Sequence, residues 1–287
     1  MTHVVATINL KGGVGKTTTT AALAEMLSGE FGQRVLLIDL DPQTNLTIMM
    51  VGERRWGEVD SLNLTIASLF DAAVASNGAD YDISRLILRG VSPLKKVMSV
   101  DLIPSSLALI GMQEKVAAAA LGIGNESTDI LLRALTHVVD NYDYVLIDCP
   151  PNLETITLNG LRAADAYIIP TIPDVMSTYG IGPIQERVKS HGERWGKSIV
   201  ELGIVITKYR RASSVHRNTV DDLNRRKDIG MVFPSLIPEA NQIAAAAEYA
   251  DFGTLRQKYG TDGQFTALRE LTQDFMATTK VRLGWAR

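Results

Sequence analysis

Apolar runs and polar breaks alternate along this chain with the periods of strands and helices in turn. Val4 to Ile8 is a β-branched apolar run, and after a glycine-rich break Ala21, Ala22, Leu23, Ala24, Met26 and Leu27 fill a helical stretch. Further strands are predicted at Arg34-Val35-Leu36-Leu37-Ile38-Asp39, Val100-Asp101-Leu102-Ile103-Pro104, Tyr144-Val145-Leu146-Ile147-Asp148, Ala166 to Thr171, Ile199 to Thr207 and Met231 to Ile237. Helices are predicted at Thr65 to Val74, Asp82 to Leu88, Leu107 to Leu121, Thr128 to Val139 and Ser213 to Lys227, with Ser76-Asn77-Gly78 as a break. A last helix carries Phe265, Leu268, Leu271 and Phe275 as one apolar stripe. Strands apolar throughout are buried on both faces. The expectation is therefore a doubly wound α/β sheet of about seven or eight mostly parallel strands, helices on both faces, in a single domain.

The break after the first strand is Asn9-Leu10-Lys11-Gly12-Gly13-Val14-Gly15-Lys16-Thr17-Thr18. Strand, glycine loop and helix follow one another, which is the context of a phosphate loop. Glycines at 12, 13 and 15 let backbone N–H groups approach an anion, and the following helix adds the positive end of its dipole. Lys16 supplies a charge for the β and γ phosphates, and the Thr17 hydroxyl is placed to bind Mg²⁺. The usual GxxxxGK[ST] pattern would have glycine where Leu10 stands. The extra lysine, Lys11, sits at the start of the loop, from where it can hardly reach its own γ-phosphate.

Two other strands end in acids. Asp39 runs into Leu40-Asp41-Pro42-Gln43-Thr44-Asn45, at the edge where α/β sheets bind nucleotides; taken alone, the stretch is also an Asx turn closing a strand. Tyr144 to Asp148 leads into Cys149-Pro150-Pro151-Asn152 and has the form of a Walker B strand. Asp148 is then a second group for Mg²⁺, with two prolines stiffening the segment that senses the γ-phosphate.

These three stretches resemble the KGGVGKTT, DxDPQ and DCPP motifs of the ParA/MinD family of deviant Walker A ATPases, and Asp101 to Ser105 is similar to the family's DLIPS segment. The resemblance spans almost the whole chain and implies a P-loop fold with ATP and Mg²⁺ as cofactors. It implies that Lys11 reaches across a homodimer to the partner's nucleotide, that Asp41 helps to hold the attacking water, and that the segment from Pro238 contacts adenine. Catalysis then rests on Lys11, Lys16 and Asp41. The nucleotide is held by Lys11, Gly12, Gly13, Val14, Gly15, Lys16, Thr17, Thr18 and Pro238, and the metal by Thr17 and Asp148. Residues 172–180 depart from the family's usual acidic and aromatic pattern. A guanine-reading NKxD motif would need Asn at 207 and Asp at 210, where Thr207 and Arg210 stand, so ATP is expected over GTP.

Composition narrows the picture. The 287 residues are 46% hydrophobic and 21% charged, and no run reaches the roughly 18 apolar residues of a membrane helix. A cytoplasmic protein without membrane attachment is expected. Because the loop starts at Asn9, no helix-turn-helix domain is expected before it. Cys149 is the single cysteine, read as inert core; the related nitrogenase iron proteins need two per subunit.

Net charge is −3, yet residues 187–227 carry eleven Lys and Arg against four acids, a local balance of +7. Arg217, Arg225, Arg226 and Lys227 on one helix are the candidate DNA-binding residues, followed by Lys189, Arg194, Lys197, Arg210 and Arg211. The alternative is a solvated face in which Asp221 and Asp222 are local partners. By resemblance the function is DNA partition: dimerisation on Mg·ATP, non-specific DNA binding on the nucleoid, and stimulation by a ParB-like, centromere-binding partner. A protein-cargo positioning ATPase, a MinD-like membrane-surface ATPase and an ATP-dependent ligase are the rivals.

Overall fold

Six of the apolar runs align as one sheet. The computed structural model describes residues 2–75, 81–123 and 127–284. Strands β1 (His3–Thr7), β2 (Val35–Asp39), β3 (Val100–Ile103), β4 (Tyr144–Asp148), β5 (Ala166–Thr171) and β6 (Val200–Ile206) are all parallel, in the order β3-β2-β4-β1-β5-β6. Successive side chains alternate between two cores: Val4, Ala6, Leu36 and Ile38 face one, Val5, Val35 and Leu37 the other. Truncating one of these, Leu37→Ala for example, should cost about 2–5 kcal/mol.

The helices are α1 (Lys16–Phe31), α2 (Asn45–Ser61), α3 (Ile66–Ala75), α4 (Leu109–Ile123), α5 (Ile130–Leu135), α6 (Thr155–Ala163), α7 (Val175–Thr178), α8 (Ile181–Trp195), α9 (Ser214–Arg225), α10 (Asn241–Ala245), α11 (Leu255–Tyr259) and α12 (Gln264–Leu283). Helices α3 to α6, α8 and α9 cover the first face, and α1, α2 and α10 to α12 the second. Phe265, Leu268, Leu271 and Phe275 of α12 are all buried in the second core, so that stripe is packing surface. Among the described residues no helix is long and apolar enough to cross a membrane.

The topology builds a crevice. The chain leaves β1 toward β2 on one side and leaves β4 toward β5 on the other, so the connections diverge above the neighbouring ends of β1 and β4. Register brings the motif residues level there: Thr7 pairs with Asp148, and Asp148 with Asp39.

Several expectations need correction. The sheet has six strands rather than seven or eight, because Met231 to Ile237 follows β6 through scattered bonds, such as Phe233 N–H to Ile204 C=O at 2.9 Å, without forming a ladder. Pro234 lacks the N–H a continuous edge strand would use. The helix expected at Asp82 to Leu88 is a single 3₁₀ turn, Ile83–Leu86, because Leu88 is drawn into an antiparallel bridge with Leu102. The one expected at Thr128 to Val139 keeps helical form only over Ile130–Leu135, with a 3₁₀ turn at Val139–Asn141. Helices α2, α6, α7, α8, α10 and α11 have no counterpart among the predicted helices. The break at Ser76-Asn77-Gly78 lies outside the described residues.

Candidate active site

The loop between β1 and α1 is clamped from both sides. The Asn9 side-chain amide donates to the Pro170 carbonyl (2.8 Å) and to Thr171 Oγ1 (3.2 Å), while its Oδ1 accepts the Lys11 N–H (2.9 Å). At the far end the Thr207 hydroxyl donates to the Val14 carbonyl at 2.7 Å. Gly13 and Gly15 have φ of +74° and +84°, the left-handed region where a side chain would be strained. No atom lies within 4 Å of where Cβ atoms would stand at Gly12 or Gly13, so both open onto free space.

That space is a cleft of about 350 Å³, lined among others by Gly12, Gly13, Lys16, Thr17, Asp41 and Pro151. A second cleft of about 260 Å³ shares Gly15, Thr18 and Lys208 with it and is lined further by Thr207, Pro238 and Asn241. Of the predicted nucleotide-binding residues, Gly12, Gly13, Gly15, Lys16, Thr17, Thr18 and Pro238 border these two adjoining clefts, the more polar one suited to phosphates and the more apolar one to a base, whereas Val14 is buried beneath the loop and Lys11 lines neither.

Lys16 is buried, with Nζ 3.2 Å from the Lys11 carbonyl, and burial lowers its pKa against the opposing pull of Asp148 and Asp41. The Thr17 hydroxyl donates to Asp148 Oδ2 at 2.7 Å, and Thr20 Oγ1 lies 3.5 Å from Oδ1. Burial raises the Asp148 pKa to about 8, with Asp39 adding to the shift, and burial raises that of Asp39 to about 7. Crowding of Asp39, Asp41 and Asp148 in a buried crevice is a charge arrangement that a divalent cation relieves. Mg²⁺ characteristically takes one or two protein groups and completes its shell with phosphate oxygens and water. Thr17 and Asp148 fit that demand; among the described residues no three acidic, His or Cys side chains form a cage.

Lys11 behaves differently from Lys16. Its ammonium donates to Ser177 Oγ at 2.8 Å and lies 3.6 Å from the Asp174 carboxylate, on α7 and its N-cap, and Lys11 does not line the phosphate cleft. Burial alone would raise the Asp174 pKa, but the Ser177 N–H and hydroxyl, together with Lys11, bring it below the usual range.

Helix α9 ends at Arg225 rather than Lys227, so Arg226 is its C-cap and Lys227 lies beyond it, and none of the four basic candidates lines either cleft. Arg217, Arg225, Arg226 and Lys227 are exposed. Arg225 meets Asp222 at 3.3 Å, Arg226 meets Asp228 at 2.6 Å, and Arg217 donates to the Arg211 carbonyl at 2.7 Å. Of the secondary candidates, Arg210 is tied to Glu239 and Lys197 donates to the Arg162 carbonyl. Asn9, Thr207, Asp174 and Ser177 carry structural duties at the site that motif reading did not assign; Asn9 and Thr207 are short polar side chains just past apolar strands, and Asp174 and Ser177 form the N-cap pair of the short helix after β5.

Comparison with known proteins agrees with this geometry. The family model described as AAA domain matches residues 2–200. A chromosome partitioning protein ParA of Caulobacter vibrioides is 31% identical over 253 residues, 86% of this chain and 84% of its own length. An uncharacterized protein of Mycobacterium tuberculosis is 36% identical over 206 residues, 72% of this chain; the aligned part spans 58% of that relative's length. A Mycobacterium smegmatis structure described as cobyrinic acid a,c-diamide synthase with bound ADP and magnesium superposes with TM-score 0.75 at 26% identity, covering 99% of this chain and 97% of that one. The chain belongs to the AAA-domain family and, within it, to the ParA-type P-loop ATPases.

Proposed function

We propose that this chain is a DNA-partition ATPase of the cytoplasm. It binds Mg·ATP, pairs with a second copy, coats nucleoid DNA without reading sequence, and hydrolyses ATP faster when a ParB-like, centromere-binding partner engages it. The observation that carries the reading is the position of Lys11, whose ammonium rests on Ser177 at 2.8 Å outside a cleft that Lys16 already serves. A second lysine spare to its own loop is available to a second copy's nucleotide.

In this reading Lys16 and the N–H groups of residues 12–18 hold the phosphates, and Thr17 and Asp148 hold the metal. The Mg²⁺ that Thr17 and Asp148 would hold would supply positive charge against the phosphates. Asp41 holds the attacking water, and Pro238 borders the base. Arg217, Arg225, Arg226 and Lys227 meet DNA phosphates. Their acid partners do not preclude this, since exposed ion pairs contribute only about 0–1 kcal/mol and exchange readily for phosphate.

ATP turnover measured alone, with DNA, and with DNA plus the ParB-like partner tests the proposal. It should rise in that order. The synthase description of the M. smegmatis structure defines the alternative. Turnover that ignores DNA and partner but appears with a carboxylic acid substrate would favour it.

A further inference from the structure

A closed ring of buried hydrogen bonds surrounds the backbone of Asp41. The Asp41 N–H donates to Asp39 Oδ1 at 3.0 Å. Asp39 Oδ2 accepts both the N–H and the hydroxyl of Thr47, at 2.9 and 2.7 Å. Thr47 Oγ1 in turn accepts the Ser105 N–H at 2.9 Å, and the Ser105 hydroxyl closes the ring on the Asp41 carbonyl at 2.7 Å. Asp39, Thr47 and Ser105 are fully buried and Asp41 is 7% exposed, so water does not compete for these bonds.

The ring ties four separate pieces together: the end of β2, the loop carrying Asp41, the first turn of α2, and the residues just after β3. The loop itself is irregular. Thr44, the N-cap of α2, has φ +57°, and its N–H bonds the same Asp41 carbonyl at 2.9 Å. An aspartate in a turn of this kind has no regular ladder to fix its Cα. Both of its main-chain polar groups are held by side chains anchored elsewhere, which fixes the backbone from which the carboxylate enters the cleft, while Oδ1 itself accepts the Gln43 N–H at 2.9 Å.

We propose that Thr47 and Ser105 are positioning residues for Asp41: they touch neither nucleotide nor water but fix where the Asp41 carboxylate stands. The proposal rests on the reading of Asp41 as the residue that holds the attacking water. It separates the two residues from the loop that binds the phosphates, so their loss acts on turnover and not on nucleotide affinity.

The test is steady-state Mg·ATP hydrolysis by the full chain carrying Thr47→Val, Thr47→Ser, Ser105→Ala or Asp41→Ala, with ADP affinity measured alongside. Thr47→Val keeps the shape of the side chain and removes the hydroxyl. It should lower kcat roughly 10- to 100-fold while KM and ADP affinity stay within about twofold. Thr47→Ser restores the hydroxyl and should recover most of the lost kcat, which a role in packing the threonine methyl would not produce. Ser105→Ala should match Thr47→Val, and it carries the test if Thr47→Val does not fold. Unchanged kcat in Ser105→Ala and Thr47→Val beside a large loss in Asp41→Ala overturns the proposal and leaves the reading of Asp41 standing. Unchanged kcat in Asp41→Ala overturns both.

Discussion

Lys11 Nζ lies 2.8 Å from Ser177 Oγ, across 166 residues of chain, whereas Lys16, five residues on, is buried within the loop. The two lysines of one motif therefore serve different partners. Lys16→Ala should abolish binding of ADP and ATP alike. Lys11→Ala should leave ADP affinity within about twofold, because the contact it removes is to Ser177 and Asp174, outside the phosphate cleft, yet it should eliminate ATP-dependent dimerisation. Calorimetry with ADP and sedimentation with ATP separate the two. Equal loss of ADP binding in both variants would place Lys11 in its own subunit's site.

A buried charge network joins α1 to the C-terminal part of the chain. Lys258 Nζ meets Glu25 Oε1 at 2.9 Å with both side chains fully buried, and Tyr259 and Ser92 donate to the same carboxylate at 2.6 and 2.8 Å. Lys258→Met should cost about 3–5 kcal/mol in chemical denaturation, because it leaves Glu25 without its countercharge. Adding Glu25→Leu should recover most of that loss. A single variant as stable as the parent would mean that water reaches the site.

Alkaline pH should unfold the protein through its buried tyrosines. Burial raises the pKa of Tyr142, Tyr144, Tyr167 and Tyr259 above the ordinary value of 10, that of Tyr144 to about 12, and neighbouring acids add to the shift. The folded state thus favours the protonated phenol. Its contribution is complete below pH 10 and is lost as pH rises from there toward the folded values. Melting temperatures taken between about pH 9 and 11 should fall only in the upper half of that range, with tyrosinate absorbance from these residues appearing together with unfolding. Their ionisation in an intact fold would contradict this.

Much of the fold was legible because strands buried on both faces must be apolar throughout, as Val35 to Ile38 and Val145 to Ile147 are. The glycine loop, Asp41 and Asp148 stand out in the sequence because a glycine-rich break and acids at strand ends interrupt apolar runs, and the structure brings them to one end of the sheet. Helix α2 was not: its period breaks at Gly52, where φ is 76°, and polar residues 53–55 follow. The seventh strand was over-read because apolar content at Met231 to Ile237 outweighed Pro234. Asn9 and Thr207 escaped because their bonds span 161 and 193 residues, a distance over which spacing carries no signal.

The basic face of α9 should act through phosphate contacts alone. Replacing Arg217, Arg225 and Arg226 by Glu should remove DNA binding, while ATP-driven dimerisation, seen by sedimentation, persists. In the parent protein affinity should fall steeply with salt, by about one unit of log–log slope per phosphate contact. Tight DNA binding by the triple variant would move the contact to Lys189, Arg194 or Arg211, which are also exposed.

Binding of a random-sequence duplex to the full chain, compared in the presence of ATP, ADP and no nucleotide at one fixed salt concentration, tests the central claim most directly. A single copy offers few phosphate contacts, and two copies joined by ATP combine theirs through effective concentration. The expected result is binding with ATP and little or none with ADP or without nucleotide. Equal binding in all three states, or none with ATP, would contradict an ATP-switched DNA-partition ATPase.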